Sequence, residues 1–247
     1  MLSLNNVTKS FSGVFEPVLK GINLSLKEGE FCTVVGANGS GKSTLLKIIS
    51  GEYFADSGEI RRNGEVAQVV QDVNKGTIPA MTMLENIALS RMKTPRFAFY
   101  RRHATEAIAN VRSLNIGLEK FIDQPLGILS GGQRQTVATL MALISGRKIL
   151  LLDEHTSALD PKMQKELMEY TARSVRELQV TTLMITHNLE DAVKYGDRLI
   201  MMHKGRIVAD IGGKEKSELK IQSLLEMFHR FENQSLMHEG GEKCPLT

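Results

Sequence analysis

The stretch Gly36-Ala37-Asn38-Gly39-Ser40-Gly41-Lys42-Ser43-Thr44 decides how this sequence folds. It fits the pattern G-x-x-x-x-G-K-[ST] of a phosphate-binding loop. The apolar run 31–35 before it indicates a buried strand, and the run 44–49 after it indicates a helix that ends at Gly51. Glycines let backbone N–H groups point at phosphate oxygens, and the helix N-terminus adds further donors. The stretch therefore predicts a nucleotide site, rather than a glycine-rich turn before a core helix.

The composition is typical of a globular protein. The chain has 247 residues, of which 42% are hydrophobic and 24% charged, enough for one large domain or two small ones. A net charge of +3 is too small to indicate a nucleic-acid partner. Two cysteines, Cys32 and Cys244, suggest no disulfide framework and fit a reducing cytosol. We expect neither a secretory signal nor a membrane span, because no run approaches about 18 apolar residues.

The N-terminal part of the chain has the pattern of an antiparallel β section. A strand is predicted from Leu2, and the alternation over 18–26 predicts a half-buried antiparallel strand. Asn63-Gly64 predicts a tight hairpin that leads into a strand over 66–70. From about 76 to 146 the pattern turns helical. One predicted helical stripe consists of Ala104, Ala107, Ile108, Val111 and Leu114.

Strands and helices alternate in the rest of the chain. Strands are predicted over 149–152, 181–186, 199–203 and 206–209. Asp160-Pro161 predicts a helix start, and 217–231 an amphipathic helix before about 15 polar, frayed residues. This layout predicts an α/β fold with a mainly parallel sheet, an N-terminal antiparallel β section and an inserted helical subdomain.

Several further segments carry side chains suited to phosphate chemistry. Asp153 and Glu154 end a buried strand, where α/β sheets place ligands. Asp153 can hold the hydration shell of Mg²⁺ and Glu154 can polarise a water, although a solvated strand end has the same pattern. Leu129 to Gln133 forms a second glycine-rich helix start, which by itself favours an ordinary capped helix. His187 after a strand is, alone, more often structural, and Gln71 alone indicates nothing.

Together, and in this order, these segments resemble the nucleotide-binding subunit of an ATP-binding cassette (ABC) transporter, which has a P-loop NTPase core. The resemblance covers about residues 2–212. The matching segments are the phosphate loop 36–44 (Walker A), Gln71 (Q-loop), 129–133 (signature), 149–154 (Walker B), 157–160 (D-loop) and His187 (switch histidine).

The resemblance implies roles for these residues. Two subunits would pack head to tail, with each ATP held between the phosphate loop of one and the signature of the other. Glu154, His187 and Gln71 would be catalytic: Glu154 as general base, His187 at the γ-phosphate and Gln71 as the relay to a membrane partner. The implied Mg²⁺ ligands are Ser43, Gln71 and Asp153. The implied ATP contacts are Phe11, Gly36, Asn38, Gly39, Ser40, Gly41, Lys42, Ser43, Thr44, Ser130, Gly131, Gly132, Gln133 and Asp160.

Phe11 is assigned where the family usually has a tyrosine that stacks on adenine, with Phe15 as a competing position. The resemblance also implies one ABC ATPase domain over 1–247. Its core would be 1–75 and 147–212, its helical subdomain 76–146, and its C-terminal helix and tail 213–247. That last helix could pack on the cassette or add dimer contacts.

Some positions depart from the common family pattern. His155 stands where proline is usual, and Thr136 and Met141 stand where arginine is common. With the segment 70–86, these resemble a subgroup of bacterial importers served by a lipoprotein-type substrate-binding protein. Known members are associated with aromatic amino acids such as tryptophan. The implied partners are a second copy, integral membrane permease subunits and, indirectly, that binding protein, at the cytoplasmic face of the cell membrane.

The alternative function is that of a soluble ABC ATPase acting on nucleic acid or ribosomes. Such proteins usually carry a long coiled coil or two cassettes, whereas this chain has one phosphate loop and no sustained heptads. We therefore expect no nucleic-acid partner. The basic, aromatic segment 91–102 stays open between a solvated loop, a surface near lipid headgroups and a nucleic-acid contact.

Overall fold

The computed structural model describes residues 1–72, 75–91, 109, 111–112 and 117–239. The strands are β1 Leu2–Lys9, β2 Leu19–Leu26, β3 Phe31–Gly36, β4 Ser57–Arg62, β5 Val66–Val69, β6 Ile149–Asp153, β7 Thr181–Ile185, β8 Arg198–His203 and β9 Arg206–Gly212. The helices are α1 Lys42–Ser50, α2 Met83–Arg91, α3 Gly131–Ile144, α4 Pro161–Leu178, α5 Leu189–Lys194, α6 Gly213–Glu218 and α7 Ile221–Glu239, with 3-10 turns at Leu118–Phe121 and Leu126–Ile128.

The larger sheet has the strand order β5-β6-β7-β3-β8-β9. Its first five strands run parallel, and β9 joins β8 antiparallel through a turn at Lys204-Gly205, both in the left-handed region. Every residue of β3 is buried, as expected for a strand covered on both faces. The predicted mainly parallel sheet is confirmed.

The smaller sheet is the predicted N-terminal antiparallel section, with the order β2-β1-β4. One apolar cluster joins it to the larger sheet through α1, whose buried side chains include Leu45, Leu46, Ile48 and Ile49. A fully buried aliphatic side chain contributes about 1.5–3 kcal/mol, so this cluster holds α1 firmly behind the loop that precedes it.

The opposite face of the larger sheet is covered by α2, α3 and α4. Val137 and Leu140 of α3 are fully buried there. Of the predicted stripe 104–114, only Val111 lies within the described residues, where it is buried. Of the basic segment 91–102, only Arg91 lies within the described residues. None of the helices in the described ranges has the length and hydropathy of a membrane span.

The hairpin predicted at Asn63-Gly64 is wrong. A turn occurs there, but β4 pairs antiparallel with β1, and β5 pairs parallel with β6. The chain crosses from one sheet to the other, because the apolar β5 gains more by extending the buried sheet than by pairing with the exposed β4. Gly64 suits this crossing: a Cβ atom on it would lie 2.9 Å from the Cβ of Lys148.

The single helix predicted over 217–231 is also wrong. α6 ends at Glu218 and α7 begins at Ile221, because Leu219 is extended and packs into a cluster with Leu224 and Ala192. The prediction that about 15 residues at the end are frayed is wrong for those up to Glu239, since α7 continues to that residue.

Candidate functional site

Four segments meet at one edge of the larger sheet. Neighbouring parallel strands end on the same side, so the residues that follow β5, β6, β7 and β3 converge. The register pairs Val69 with Leu152, and Ile185 with both Asp153 and Val34. Gln71, the pair Asp153-Glu154, His187 and the loop 36–44 therefore share this edge.

The phosphate loop requires glycine at two positions for close approach. A Cβ atom on Gly36 (φ 155°) would lie 2.2 Å from the Met202 carbonyl oxygen. A Cβ atom on Gly41 (φ 100°) would lie 2.9 Å from the Val18 carbonyl oxygen. Gly39 is left-handed as well, but no other atom of the described residues lies within 4 Å of its Cβ position. The loop thus packs on β2 and β8 at its ends and is open at its tip.

Lys42 is almost buried, with 6% of its surface exposed. Its Nζ donates to the carbonyl oxygens of Gly36 at 2.8 Å and Ala37 at 3.0 Å. Burial lowers the pKa of Lys42, and the nearby carboxylates of Glu154 and Asp153 oppose that shift. An ammonium group has three donors, so Lys42 can stay anchored to the loop and still donate to an anion.

Oxygen ligands for a hard cation lie beside this lysine. The Ser43 hydroxyl lies close to the Asp153 carboxylate. Burial raises the pKa of Asp153, and the negative charge of Glu154 raises it further. The buried Ser40 hydroxyl has no hydrogen-bond partner among the described residues. This donor set and crowded negative charge fit Mg²⁺, which prefers oxygen ligands.

Glu154 and His187 are in direct contact. The His187 Nε2 atom lies 2.6 Å from Glu154 Oε1, and 46% of the histidine side chain is exposed. Glu154 has a left-handed φ of 51°, unusual for a residue with a side chain. Its N–H donates to Ile185 O at 3.1 Å, and the Ser157 hydroxyl donates to its carbonyl oxygen at 2.9 Å. The surrounding bonds therefore hold a strained backbone, as is common at functional sites.

The loop and this pair enclose a pocket of about 200 Å³. Its lining residues are Val18, Asn38, Gly39, Ser40, Gly41, Lys42, Ser43, Thr44, Glu154 and His187. Phe11 and Gln71 do not line it. Phe11 packs edge-on against Tyr53 with ring centroids 5.3 Å apart, Phe15 is fully exposed, and Gln71 is exposed at the end of β5.

The signature segment lies apart from that pocket. Ser130 and Gln133 form the expected capping box, in which Ser130 Oγ accepts from Gln133 N at 3.2 Å. Ser130 and Gly131 are exposed, and within the part of the chain that the structure describes no other atom lies within 4 Å of a Cβ position on Gly131. Gly132 packs on Leu159, just before Asp160, whose exposed carboxylate caps α4.

Two residues at the site, Val18 and Gln135, escaped the sequence interpretation, and a third, His155, was noted only as a departure from the family pattern. Val18 lines the pocket, yet its only sequence signal is β alternation. Gln135 Nε2 donates to Val70 O at 3.2 Å and ties α3 to the segment before Gln71. Burial lowers the pKa of His155 to about 3, so the residue that replaces the usual proline is a neutral core histidine. Such contacts join distant parts of the chain and leave no local pattern.

The comparisons with known proteins define the class. A family model described as "ABC transporter" matches residues 19–157, more than half of the chain. The chain belongs to the ABC transporter family and is one of its ATP-binding, ATP-hydrolysing proteins. A tyrosine transport ATP-binding protein of Clostridioides difficile (strain R20291) is 42% identical, over 92% of this chain and 98% of that protein.

More distant relatives show the same cassette. A spermidine/putrescine import ATP-binding protein of Mesoplasma florum is 37% identical over 84% of this chain, which spans 60% of that relative. A solved dimeric ATP-binding cassette in a post-hydrolysis state, bound to ADP and Pi, superposes with a TM-score of 0.75. It is 29% identical, and the match covers 86% of this chain and 98% of that one.

Proposed function

We propose that this chain is the energising subunit of a bacterial importer for a small solute, an amino acid of the aromatic class. Within it, Glu154 is the general base of ATP hydrolysis. The observation that carries the proposal is the 2.6 Å contact between Glu154 and His187, in the pocket that also contains Lys42. An acid–base pair beside a buried cation is the arrangement that phosphoryl transfer to water needs.

The loop supplies the phosphate contacts. Backbone N–H groups from Gly36 to Thr44, together with Lys42, bind the phosphates, and Phe11 stacks on the adenine. Ser43, Asp153 and Gln71 hold Mg²⁺, which neutralises charge on the β- and γ-phosphates when bound. The fit rests on the closeness of the Ser43 hydroxyl to the Asp153 carboxylate and on the negative charge crowded there.

Hydrolysis requires a positioned water. The Glu154 carboxylate takes a proton from that water as the water attacks the γ-phosphorus. The bond from that phosphorus to the β–γ bridging oxygen breaks, and ADP leaves with this oxygen. His187 keeps this carboxylate in place and contacts the γ-phosphate. Both groups act mainly through position and charge, because phosphoryl transfer leaves little covalent chemistry to the protein.

A second copy completes each site. Its Ser130, Gly131, Gly132 and Gln133 close over the phosphates, and its Asp160 links the two sites. The signature supports this assignment because it is exposed and lies outside the pocket of its own chain. The solved relative with a TM-score of 0.75 is itself dimeric.

The dimer drives integral membrane permease subunits at the cytoplasmic face of the membrane. Gln71 and the helical subdomain 76–146 face those subunits, on a core of 1–75 and 147–212, and residues 213–247 form a C-terminal extension. A substrate-binding protein delivers the solute. Import of an aromatic amino acid is supported by the relative that is 42% identical over 98% of its length and is described as a tyrosine transport protein.

The substitution Glu154→Gln tests the catalytic assignment. We expect turnover to fall by about 10²–10⁴-fold, because the general base is lost, while ATP affinity changes little. In ATP and Mg²⁺ the variant should run as a dimer in size-exclusion chromatography. Glu177→Gln, at an exposed position on α4, is the control and should hydrolyse ATP like the wild type. Unchanged hydrolysis by Glu154→Gln would reject Glu154 as the base.

The partners are tested with the same variant. When it is purified from detergent-solubilised membranes, integral membrane subunits should accompany it, and cells lacking the gene should take up less labelled tyrosine. Unchanged tyrosine uptake would reject tyrosine as the imported amino acid. Nucleic acid or ribosomes in place of membrane subunits would favour the alternative of a soluble ATPase.

A further inference from the structure

His187 has little packing of its own to hold it in place. Almost half of its side chain is exposed, although its contact with Glu154 requires a defined position. That position depends on the turn that precedes α5. Asn188 N donates to Thr186 Oγ1 at 3.0 Å, and Asn188 Oδ1 caps α5 by accepting from Glu190 N and Asp191 N. His187 therefore moves with the start of α5.

α5 spans only six residues, too few to be a stable helix by itself. Its C-terminal end is held by Lys216 of α6, of which only 5% is exposed. Lys216 Nζ donates to Val193 O at 2.6 Å and to Tyr195 O at 3.3 Å. A lysine charge at helix C-terminal carbonyls is favourable, and these carbonyls have no intrahelical partner.

α7 supports the same short helix from its side. Leu224 and Phe228 of α7 pack with Ala192 and Leu189 in one apolar cluster. A cavity of about 290 Å³ has Leu225, Phe228 and His229 on the α7 side. Thr186, His187 and Leu189 line its other side. The C-terminal extension thus lies across a small cavity from His187, and it is outside the 19–157 span of the family model.

We propose that Lys216 is a positioning residue for His187: by anchoring α6 to the C-terminal end of α5, it holds the turn that keeps His187 Nε2 on the Glu154 carboxylate. This inference rests on the proposed roles of Glu154 and His187 in ATP hydrolysis. It assigns the C-terminal extension to the catalytic centre of its own chain.

The substitution Lys216→Met removes both hydrogen bonds while keeping the length of the side chain. We expect kcat for ATP to fall by about tenfold or more, since small misplacements of catalytic groups are costly. KM for ATP should change less than about twofold, because the phosphate loop is untouched. The matched control is Lys214→Met on the same helix, where the side chain is 88% exposed and pairs with Glu218. It should keep the wild-type kcat.

A double-mutant cycle separates positioning from general destabilisation. In a His187→Ala background, Lys216→Met should have almost no further effect on kcat, because the group it positions is gone. Lys216→Arg, which keeps the charge and donors, should recover part of the activity. If Lys216→Met does not fold, the cycle is run with Lys216→Gln, which can still donate to one carbonyl.

The outcomes separate this inference from the proposed function. Wild-type kcat in Lys216→Met, or an equal loss with and without His187, would overturn the role of Lys216 while leaving the hydrolysis site intact. If His187→Ala itself hydrolysed ATP at the wild-type rate, the catalytic proposal would fail first.

Discussion

Two helices of this protein begin at glycine-rich turns, and their first N–H groups have different surroundings. α1 begins after Gly41, which is left-handed and offers no side-chain cap. α3 begins after Ser130, which caps its own helix. The first turn lines the pocket with Glu154 and His187, and the second does not.

The difference indicates how the catalytic work is divided. The uncapped start of α1 leaves N–H donors for a phosphate, next to a buried cation and an acid–base pair. The start of α3 is self-capped, exposed and outside that pocket, so it can add donors only to a nucleotide held elsewhere. We therefore call the start of α1, together with Lys42, Glu154 and His187, the chemical half of a site. The exposed start of α3 is the closing half.

Among the changes that test this division, the largest effect is expected from removing the Lys42 cation of the chemical half. Lys42→Met should weaken ATP binding and lower turnover by about 10²–10³-fold, because a donor aimed at phosphate charge is lost. Calorimetric binding and steady-state hydrolysis measure the two effects. Lys165→Met, at an exposed position on α4, should change neither. Wild-type ATP affinity in Lys42→Met would show that the pocket is not the phosphate site.

A smaller effect is expected from blocking the closing half. Gly131→Leu has space to fold, since no neighbouring atom among the described residues lies within 4 Å of the new Cβ, and leucine favours helix over glycine. Its thermal stability and ATP affinity as a single chain should therefore be kept. Turnover should fall by about tenfold or more, because the leucine would clash with the second copy when the dimer closes. A clash of only about 1.4 kcal/mol weakens closure tenfold.

The dimer provides the direct readout for Gly131→Leu. In the Glu154→Gln background, the added leucine should weaken the ATP-dependent dimer in size-exclusion chromatography. A stable dimer with normal turnover would place the signature away from the second nucleotide, and the proposed division into two halves would be wrong.

The smallest expected effect is on stability, when the serine that caps α3 is replaced. Ser130→Ala removes the capping oxygen of α3 and should lower the free energy of unfolding by about 1 kcal/mol in urea titrations. Ser130→Thr should keep most of this capping contribution, because threonine also has a hydroxyl oxygen. Ser40→Ala, in the uncapped loop, is expected to leave stability unchanged or raise it, because the Ser40 hydroxyl is buried without a partner in the described residues. Equal losses of unfolding free energy in Ser130→Ala and Ser40→Ala would contradict the proposed difference between the two helix starts.

Most local features of this fold were predictable because they depend on neighbouring residues. The strand and helix around the loop follow from glycine spacing and apolar runs, and the start of α4 follows from Asp160-Pro161. Two of the three errors, the hairpin and the single C-terminal helix, arose where distant partners decide. Asn63-Gly64 has the local pattern of a hairpin, yet β5 pairs with β6, which lies far along the chain. The break near Leu219 depends on the cluster that buries Leu224.

The candidate site divides in the same way. By itself, the sequence determined the phosphate loop, the capping box and the order of the remaining motifs, because each is a short pattern with its own backbone chemistry. Only the tertiary structure decided that Glu154 meets His187, that Gln135 reaches Val70 and that Lys216 is buried beneath α5. These contacts join strands and helices whose positions are set by packing of the whole sheet, so no local spacing encodes them.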